Sequence, residues 1–189
     1  NFLDLRPIWS TLEPKPGEYD WSSLDAGLNN AAAVGLPVTL TMRFFDRQVP
    51  EWLVSDNMLD QDGRTHFGYS GFESRSPSYW GPQARASYLR LIEAMVQRYR
   101  GNPAILAWQF FYGYNDSFYL GMWQNRETIY DYSEFSQGKY RHYLSQVREF
   151  SLKQINRRYG TSYRSWEEVS QPKPTFGALN VARAWHDFQ

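Results

Sequence analysis

Asp116 stands in a stretch crowded with rings, with Tyr112, Tyr114, Phe118 and Tyr119 close by and Asn115 immediately before it. Aromatic surroundings desolvate a carboxyl group and raise its pKa toward the value that a proton donor needs near neutral pH. The rings of Tyr112 and Tyr114 and the amide of Asn115 could hold a sugar, since an aromatic face stacks on apolar surfaces while its polar edge hydrogen-bonds. Glycosidic cleavage needs two carboxyl groups, ~5–5.5 Å apart for retention and ~6.5–9.5 Å apart for inversion. The Asn-Asp-Ser run suits a solvated turn aspartate equally well. It also matches a glycosylation sequon, but a glycan there would obstruct the loop.

Other side chains could take part in the same chemistry. Arg43, near the end of an apolar run, could hydrogen-bond sugar hydroxyls or hold a carboxylate ionised, or could pair with the nearby Asp46. Trp9 and Trp52 fall where loops leave strands, the place for sugar-stacking platforms, whereas Trp108 lies within an apolar run and reads as packing. Glu13, in Leu12-Glu13-Pro14, reads as a structural turn residue. His66, His142 and His186 lack metal-ligand spacing, so no metal and no cofactor is expected. Residues 68–72 miss the last glycine of G-x-S-x-G, and there is no G-x-G-x-x-G or phosphate-binding loop.

The elements that must position these groups follow from periodicity. Residues 104–111 form an apolar run too short for a helix, placed after a strongly helical segment, which fits a parallel strand after a crossover. Active sites sit in the loops that follow such strands. Residues 2–9 alternate like a strand before Pro14, Pro16 and Gly17 break the chain. Ser22 or Ser23 should cap a helix through Val34, with Leu24, Leu28, Ala31 and Ala32 as its stripe and Gly35 as its stop. A second strand is expected over 36–45, followed by a long Gly-, Ser- and aromatic-rich loop over 46–81 of the kind that is functional or disordered. Pro82 opens a helix to Arg100 with Leu89, Ile92, Met95, Val96 and Tyr99 on one face. Helical patterns resume at 136–149 and 152–158, and Ser165 with Glu168 is a capping-box signature for a last short helix. Alternating strands and helices imply right-handed parallel units and an α/β fold.

With 189 residues, 42% hydrophobic, the chain can bury one core, and residues 1–189 are read as one domain. Zero net charge favours neither nucleic acid nor an anionic membrane as partner and suits a neutral ligand such as a carbohydrate. No apolar stretch approaches the ~18 residues of a membrane span. Cysteine is absent, which excludes disulfides and thiol catalysis and leaves the compartment open. The chain starts at Asn1 without a leader, so its natural beginning is expected to be missing. Three strands alone leave two open edges, so the rest of a barrel or another chain is expected to complete the sheet.

The motifs Trp9-Ser-Thr-Leu-Glu-Pro14, Pro16-Gly-Glu-Tyr-Asp-Trp21, Gly35-Leu-Pro-Val38 and Pro50-Glu-Trp52-Leu53 stand in one order. Asp62-Gly-Arg64, Ser76-Pro77, Asn102-Pro-Ala-Ile105, Trp108-Gln109, Tyr159-Gly-Thr-Ser-Tyr163 and Trp185-His-Asp-Phe188 follow. Together they resemble glycoside hydrolase family 42, the β-galactosidase-like members of the retaining-glycosidase clan, over nearly the whole chain. The resemblance implies a partial (β/α)₈ TIM barrel, from about strand 2 to the region after strand 4. It implies hydrolysis of β-linked glycosides by paired-carboxylate chemistry, with the nucleophile after the seventh strand, outside this chain. Polymer-degrading relatives make an extracytoplasmic or secreted setting plausible. The family reads Trp-Gln-x-x-Asn-Glu, with the Glu as acid/base, but here Tyr112 and Gly113 occupy those last two positions and Asn115-Asp116 comes three residues later. The alternative is a non-catalytic carbohydrate-binding or assembling protein on a degenerate glycosidase barrel.

Overall fold

A computed structural model describes residues 1–42, 49–53, 56–65, 77–78, 80–110 and 131–173 of the chain. Three strands, β1 (Leu3–Leu5), β2 (Val38–Thr41) and β3 (Ile105–Gln109), form one sheet in that order. Both pairings are parallel, with Leu5 beside Leu40, Leu40 beside Trp108 and Thr41 beside Gln109. Helix α2 (Ser22–Ala33) connects β1 to β2, and α3 (Pro82–Tyr99) connects β2 to β3, so the chain is α/β as its alternation implies.

The strands are shorter than their apolar runs. Only Leu3–Leu5 of the first run pairs, and Trp9–Leu12 winds into a short helix, α1, whose Trp9 and Leu12 are fully buried. In β3 the register slips between Val38 and Thr39 of its neighbour, so Leu106 has no opposite residue and is 65% exposed. That bulge keeps Ile105 and Trp108 on the side of Val38 and Leu40.

Helix α2 is stopped as its sequence suggests. Gly35 takes φ +67°, its N–H donates to Ala32 O (3.1 Å), and the next N–H, of Leu36, reaches Ala31 O (3.0 Å). This is the Schellman arrangement, which needs a residue without a Cβ at that position. The start differs from expectation. Neither serine side chain caps, and Asp20 Oδ1 instead accepts the Ser22 N–H at 2.9 Å.

Helix α3 opens at Pro82, and its cap comes from the preceding loop: Asp56 Oδ2 accepts from Gln83 N (2.7 Å) and Ala84 N (2.9 Å). Asp56 is buried against Gly81, where an added Cβ would lie 2.5 Å from the Asp56 Cβ. Gly81→Ala is therefore expected to push Asp56 off the helix and cost about 2–3 kcal/mol, combining overpacking with a weakened cap. A urea midpoint unchanged from wild type would contradict that close contact. The buried face of α3 carries Ala84, Ser87, Tyr88, Leu91, Met95 and Tyr99; Met95 and Tyr99 of the expected stripe lie on it and Ile92 packs partly buried against the core, whereas Leu89 is 52% exposed. Tyr88 and Leu91 occupy the phase one residue earlier, where Tyr88 packs on Trp9 at 5.2 Å between ring centroids.

The main core lies between one sheet face and α1 to α3, with Trp9, Leu12, Leu28, Leu40, Met42, Tyr88 and Met95 among its buried members. Leu5 fits under Gly27, whose hypothetical Cβ would be 3.2 Å from a Leu5 methyl, so α2 packs close to β1. Tyr99 closes the bottom of this layer: its hydroxyl donates to Asp25 Oδ1 (2.6 Å), and Arg98 binds Asp25 Oδ2 (2.7 Å). Burial first, and then the Asp25 carboxylate, push the Tyr99 phenol up to about 12. A folded-state pKa above the unfolded value of about 10 gives stability that is complete below pH 10 and is lost as pH rises through 12. Tyr99→Phe should flatten that alkaline loss; an unchanged stability profile between pH 9 and 12 would refute the linkage.

Beyond β3, α4 (Glu134–His142) runs into a π-helical turn (Tyr143–Val147), and α5 (Leu152–Tyr159) follows. Ser133 caps α4, and Ser151 with Gln154 forms a full capping box on α5. The expected box of Ser165 with Glu168 takes another form: a short 3₁₀ turn (Trp166–Glu168) forms, and Glu168 accepts from Arg164 N. Tyr140, Leu144, Ile155, Tyr159 and Val169 make a second apolar cluster. Among the described residues no helix is long and apolar enough to cross a membrane.

Candidate active site

Alternation along the strands separates two chemistries. Leu5, Val38, Leu40 and Met42 turn into the core, so Asp4, Thr39, Thr41 and Gln109 share the opposite sheet face. Inner faces of parallel barrels are dominated by branched apolar side chains, whereas this face is polar. Asp4 is its hub. Oδ1 accepts from Thr41 Oγ1 at 2.6 Å, and Oδ2 accepts from Arg6 Nε at 2.8 Å and Nη2 at 2.7 Å. Thr41 has one hydroxyl proton, and its short bond to Asp4 commits it. The 3.4 Å approach to Gln109 Oε1 is therefore better made with the Gln109 amide reversed, Nε2 donating to Thr41 Oγ1. Gln109 then turns its carbonyl oxygen away from the strand, as an acceptor for a donor such as a sugar hydroxyl.

These groups lie toward the C-terminal ends of the strands, the side on which α/β folds place their chemistry. Asp4 already serves Thr41 and Arg6, so it orients its neighbours rather than donating a proton. Arg6 keeps a guanidinium at the end of β1, partly exposed and held by the Asp4 carboxylate. Sequence reasoning missed Asp4, Arg6, Thr41 and Gln109. The available signal was the polar residue at every second position, Asp4 and then Arg6 just past β1, Thr39 and Thr41 in β2, with Gln109 at the end of β3.

The aromatic candidates divide. Trp9 is fully buried, with Tyr88 against it and Trp52 edge-on at 6.3 Å, and its indole N–H donates to Glu13 Oε2 at 2.7 Å. No ring face is left for a sugar, so Trp9 is a core residue, contrary to the expectation for a platform. Trp52 is half-buried, and its indole N–H donates to Glu13 O at 3.0 Å. Glu13 is the buried centre of this knot and also accepts the Gly17 N–H at 2.8 Å, in keeping with the structural role read for it. Trp108 packs against Phe110 at 6.0 Å and against the main core. Arg43, Tyr112, Tyr114, Asn115 and Asp116 lie outside the described residues. Among the described residues, no three His, Cys, Asp or Glu side chains group as a metal site.

A second buried polar cluster ties the segment before α3 to α4. Ser78 Oγ donates to Asp131 Oδ2 (2.5 Å), Ser133 N donates to Asp131 Oδ1 (2.8 Å), and Ser133 Oγ donates to Ser78 Oγ (3.2 Å). Tyr132 donates its hydroxyl to Pro172 O, and burial raises its pKa. These bonds fix the approach of the last helices to the loop after β2.

Known proteins resemble this chain in sequence and in architecture. The β-galactosidase of Thermus thermophilus is 29% identical over 182 residues, covering 91% of this chain and 26% of its own length. The crystal structure of the β-galactosidase from the psychrophilic Marinomonas ef1 superposes with a TM-score of 0.71 at 27% identity, over 96% of this chain and 27% of that one. The catalytic domain of the β-amylase from Paenibacillus polymyxa reaches 0.74 at 18% identity, over 98% of this chain and 50% of that one, a likeness of fold alone. The chain thus spans about a quarter of the length of the β-galactosidases it matches. The chain is α/β, as the resemblance implied, and the solved structures it superposes on include TIM-barrel β-galactosidases. The profile of the β-galactosidase family Glyco_hydro_42 matches residues 7–189, and the chain belongs to that family.

Proposed function

We propose that the protein carrying this chain is a glycoside hydrolase that cleaves β-galactosides, and that β1, β2 and β3 are about the second to fourth strands of its (β/α)₈ barrel. The observation that carries the reading is the family match over residues 7–189, with β-galactosidases as the curated relatives. The polar face of Asp4, Arg6, Thr41 and Gln109 supports it, because a neutral sugar is held by hydrogen bonds from fixed donors and acceptors. In this reading Gln109 and Arg6 form part of the floor of the sugar site, and Trp52, Arg43, Tyr112, Tyr114 and Asn115 form its walls. Asp116 supplies the proton to the leaving oxygen in place of the family's glutamate, and the nucleophilic carboxylate comes from the seventh strand's end.

The full-length protein is expected to release nitrophenol from nitrophenyl β-galactoside faster than from the α-galactoside or the β-glucoside. Tight binding of galactosides without release from any of the three would instead favour a carbohydrate-binding protein on a degenerate barrel.

A further inference from the structure

Trp80 is a large ring at the surface, 40% exposed, on a backbone that is held firmly. Its N–H donates to Ser78 Oγ (3.1 Å), the Gly81 N–H donates to Ser78 O (3.0 Å), and the Ser78 N–H donates to Asp56 O (2.6 Å). Ser78 is anchored in turn by Asp131. A single exposed aromatic is ordinary, but this one has company. Arg85 of α3 places its guanidinium carbon 5.8 Å from the Trp80 ring centroid, and Lys139 of α4 places Nζ at 5.7 Å.

Among the described residues neither cation is paired with a carboxylate. Asp56, which caps α3, and Asp131, which binds Ser78 and Ser133, are engaged elsewhere. Arg85 also stands in the first turn of α3, where the helix dipole disfavours a cation, so its place there is not explained by helix stability. Cation–π contacts at exposed sites are weak. Both flexible side chains can therefore leave the ring for an anion, which forms stronger charge-assisted bonds. Because β2 and β3 are parallel, the N-terminus of α3 lies on the side where the strands end, together with Trp80.

We propose that Trp80, Arg85 and Lys139 form a binding site for an anionic sugar unit, with the indole against the apolar face of the ring and the two cations on its carboxylate or sulfate. Such a site would hold a charged unit of a longer glycan beside the strand ends. It concerns binding and is independent of the hydrolytic reading.

Native affinity electrophoresis of the full-length protein tests it, with gels containing polygalacturonate, a sulfated galactan or a neutral galactan. Retardation is expected in at least one acidic gel, which identifies carboxylate or sulfate as the recognised group, and it should weaken with added salt. Trp80→Ala should abolish it. Arg85→Gln with Lys139→Gln should weaken it at least about tenfold, the loss expected for charge-assisted hydrogen bonds, while the mobility in the neutral gel relative to a gel without polysaccharide stays at the ratio of the unsubstituted protein. Should Trp80→Ala fail to fold, the Arg85 and Lys139 pair of substitutions, which leaves the ring in place, decides the matter. Absence of retardation in both acidic gels, or retardation unaffected by that pair, overturns the proposal. Nitrophenyl galactoside turnover, measured alongside, separates failure of this site from failure of the hydrolytic reading.

Discussion

Asp116→Asn in the full-length protein is expected to lower lactose turnover by about 10²–10⁴, the usual contribution of a positioned general acid. The glucose leaving from lactose departs as a poor alkoxide unless its oxygen is protonated as the bond breaks. A 2,4-dinitrophenolate needs no such help. The same substitution should therefore slow the first step on dinitrophenyl galactoside far less, and the ratio of the two rates should shift by at least about 10². The alkaline limb of the pH profile for lactose should also vanish with the acid, whereas a merely structural role would lower both substrates together. Equal rates for wild type and variant on lactose would return Asp116 to the solvated turn that Asn115-Asp116-Ser117 equally suits.

Glu13→Ala is expected to destabilise the protein by about 3–5 kcal/mol, the combined effect of two buried donors left unsatisfied and the cavity left by the side chain. Glu13 and Trp9 are both fully buried, and one carboxylate accepts from the Trp9 indole and from the Gly17 backbone. Alanine leaves two donors unsatisfied, at ~1–3 kcal/mol each, and opens a void beside Trp52. Glu13→Gln keeps the volume but turns an NH₂ toward one of those donors, so a loss of about 1–2 kcal/mol is expected. Urea unfolding monitored by tryptophan fluorescence reads both changes. A Glu13→Ala protein within 1 kcal/mol of wild type would show that the knot does not hold the loop bases.

The elements were legible where their signals are local. Pro82 opening α3, Gly35 ending α2, and three short apolar runs becoming parallel strands all rest on a few adjacent residues. What joins distant parts was not. The Asp56 cap on α3 acts across 27 residues and Thr41 reaches Asp4 across 37, separations that periodicity does not encode. Trp9 reads as a platform because a tryptophan after a strand is ambiguous until Tyr88 and Glu13 are seen to enclose it. On α3, Met95 and Tyr99 lie in the core as the periodicity places them, but Tyr88 takes the core position expected for Leu89 because a tyrosine reads as polar in the pattern. The family resemblance rested on many weak motifs in order, and the profile match bears it out. Of the candidate site, the polar strand face was overlooked for a physical reason: Asp4, Thr41 and Gln109 each look like an isolated polar interruption until the register sets them side by side.

The central claim is catalytic, so the most direct measurement is the time course of galactose released from lactose by the purified full-length protein. Linear release proportional to enzyme, suppressed by excess free galactose, is the result this account predicts. A protein that binds galactose yet leaves lactose intact through prolonged incubation would contradict it.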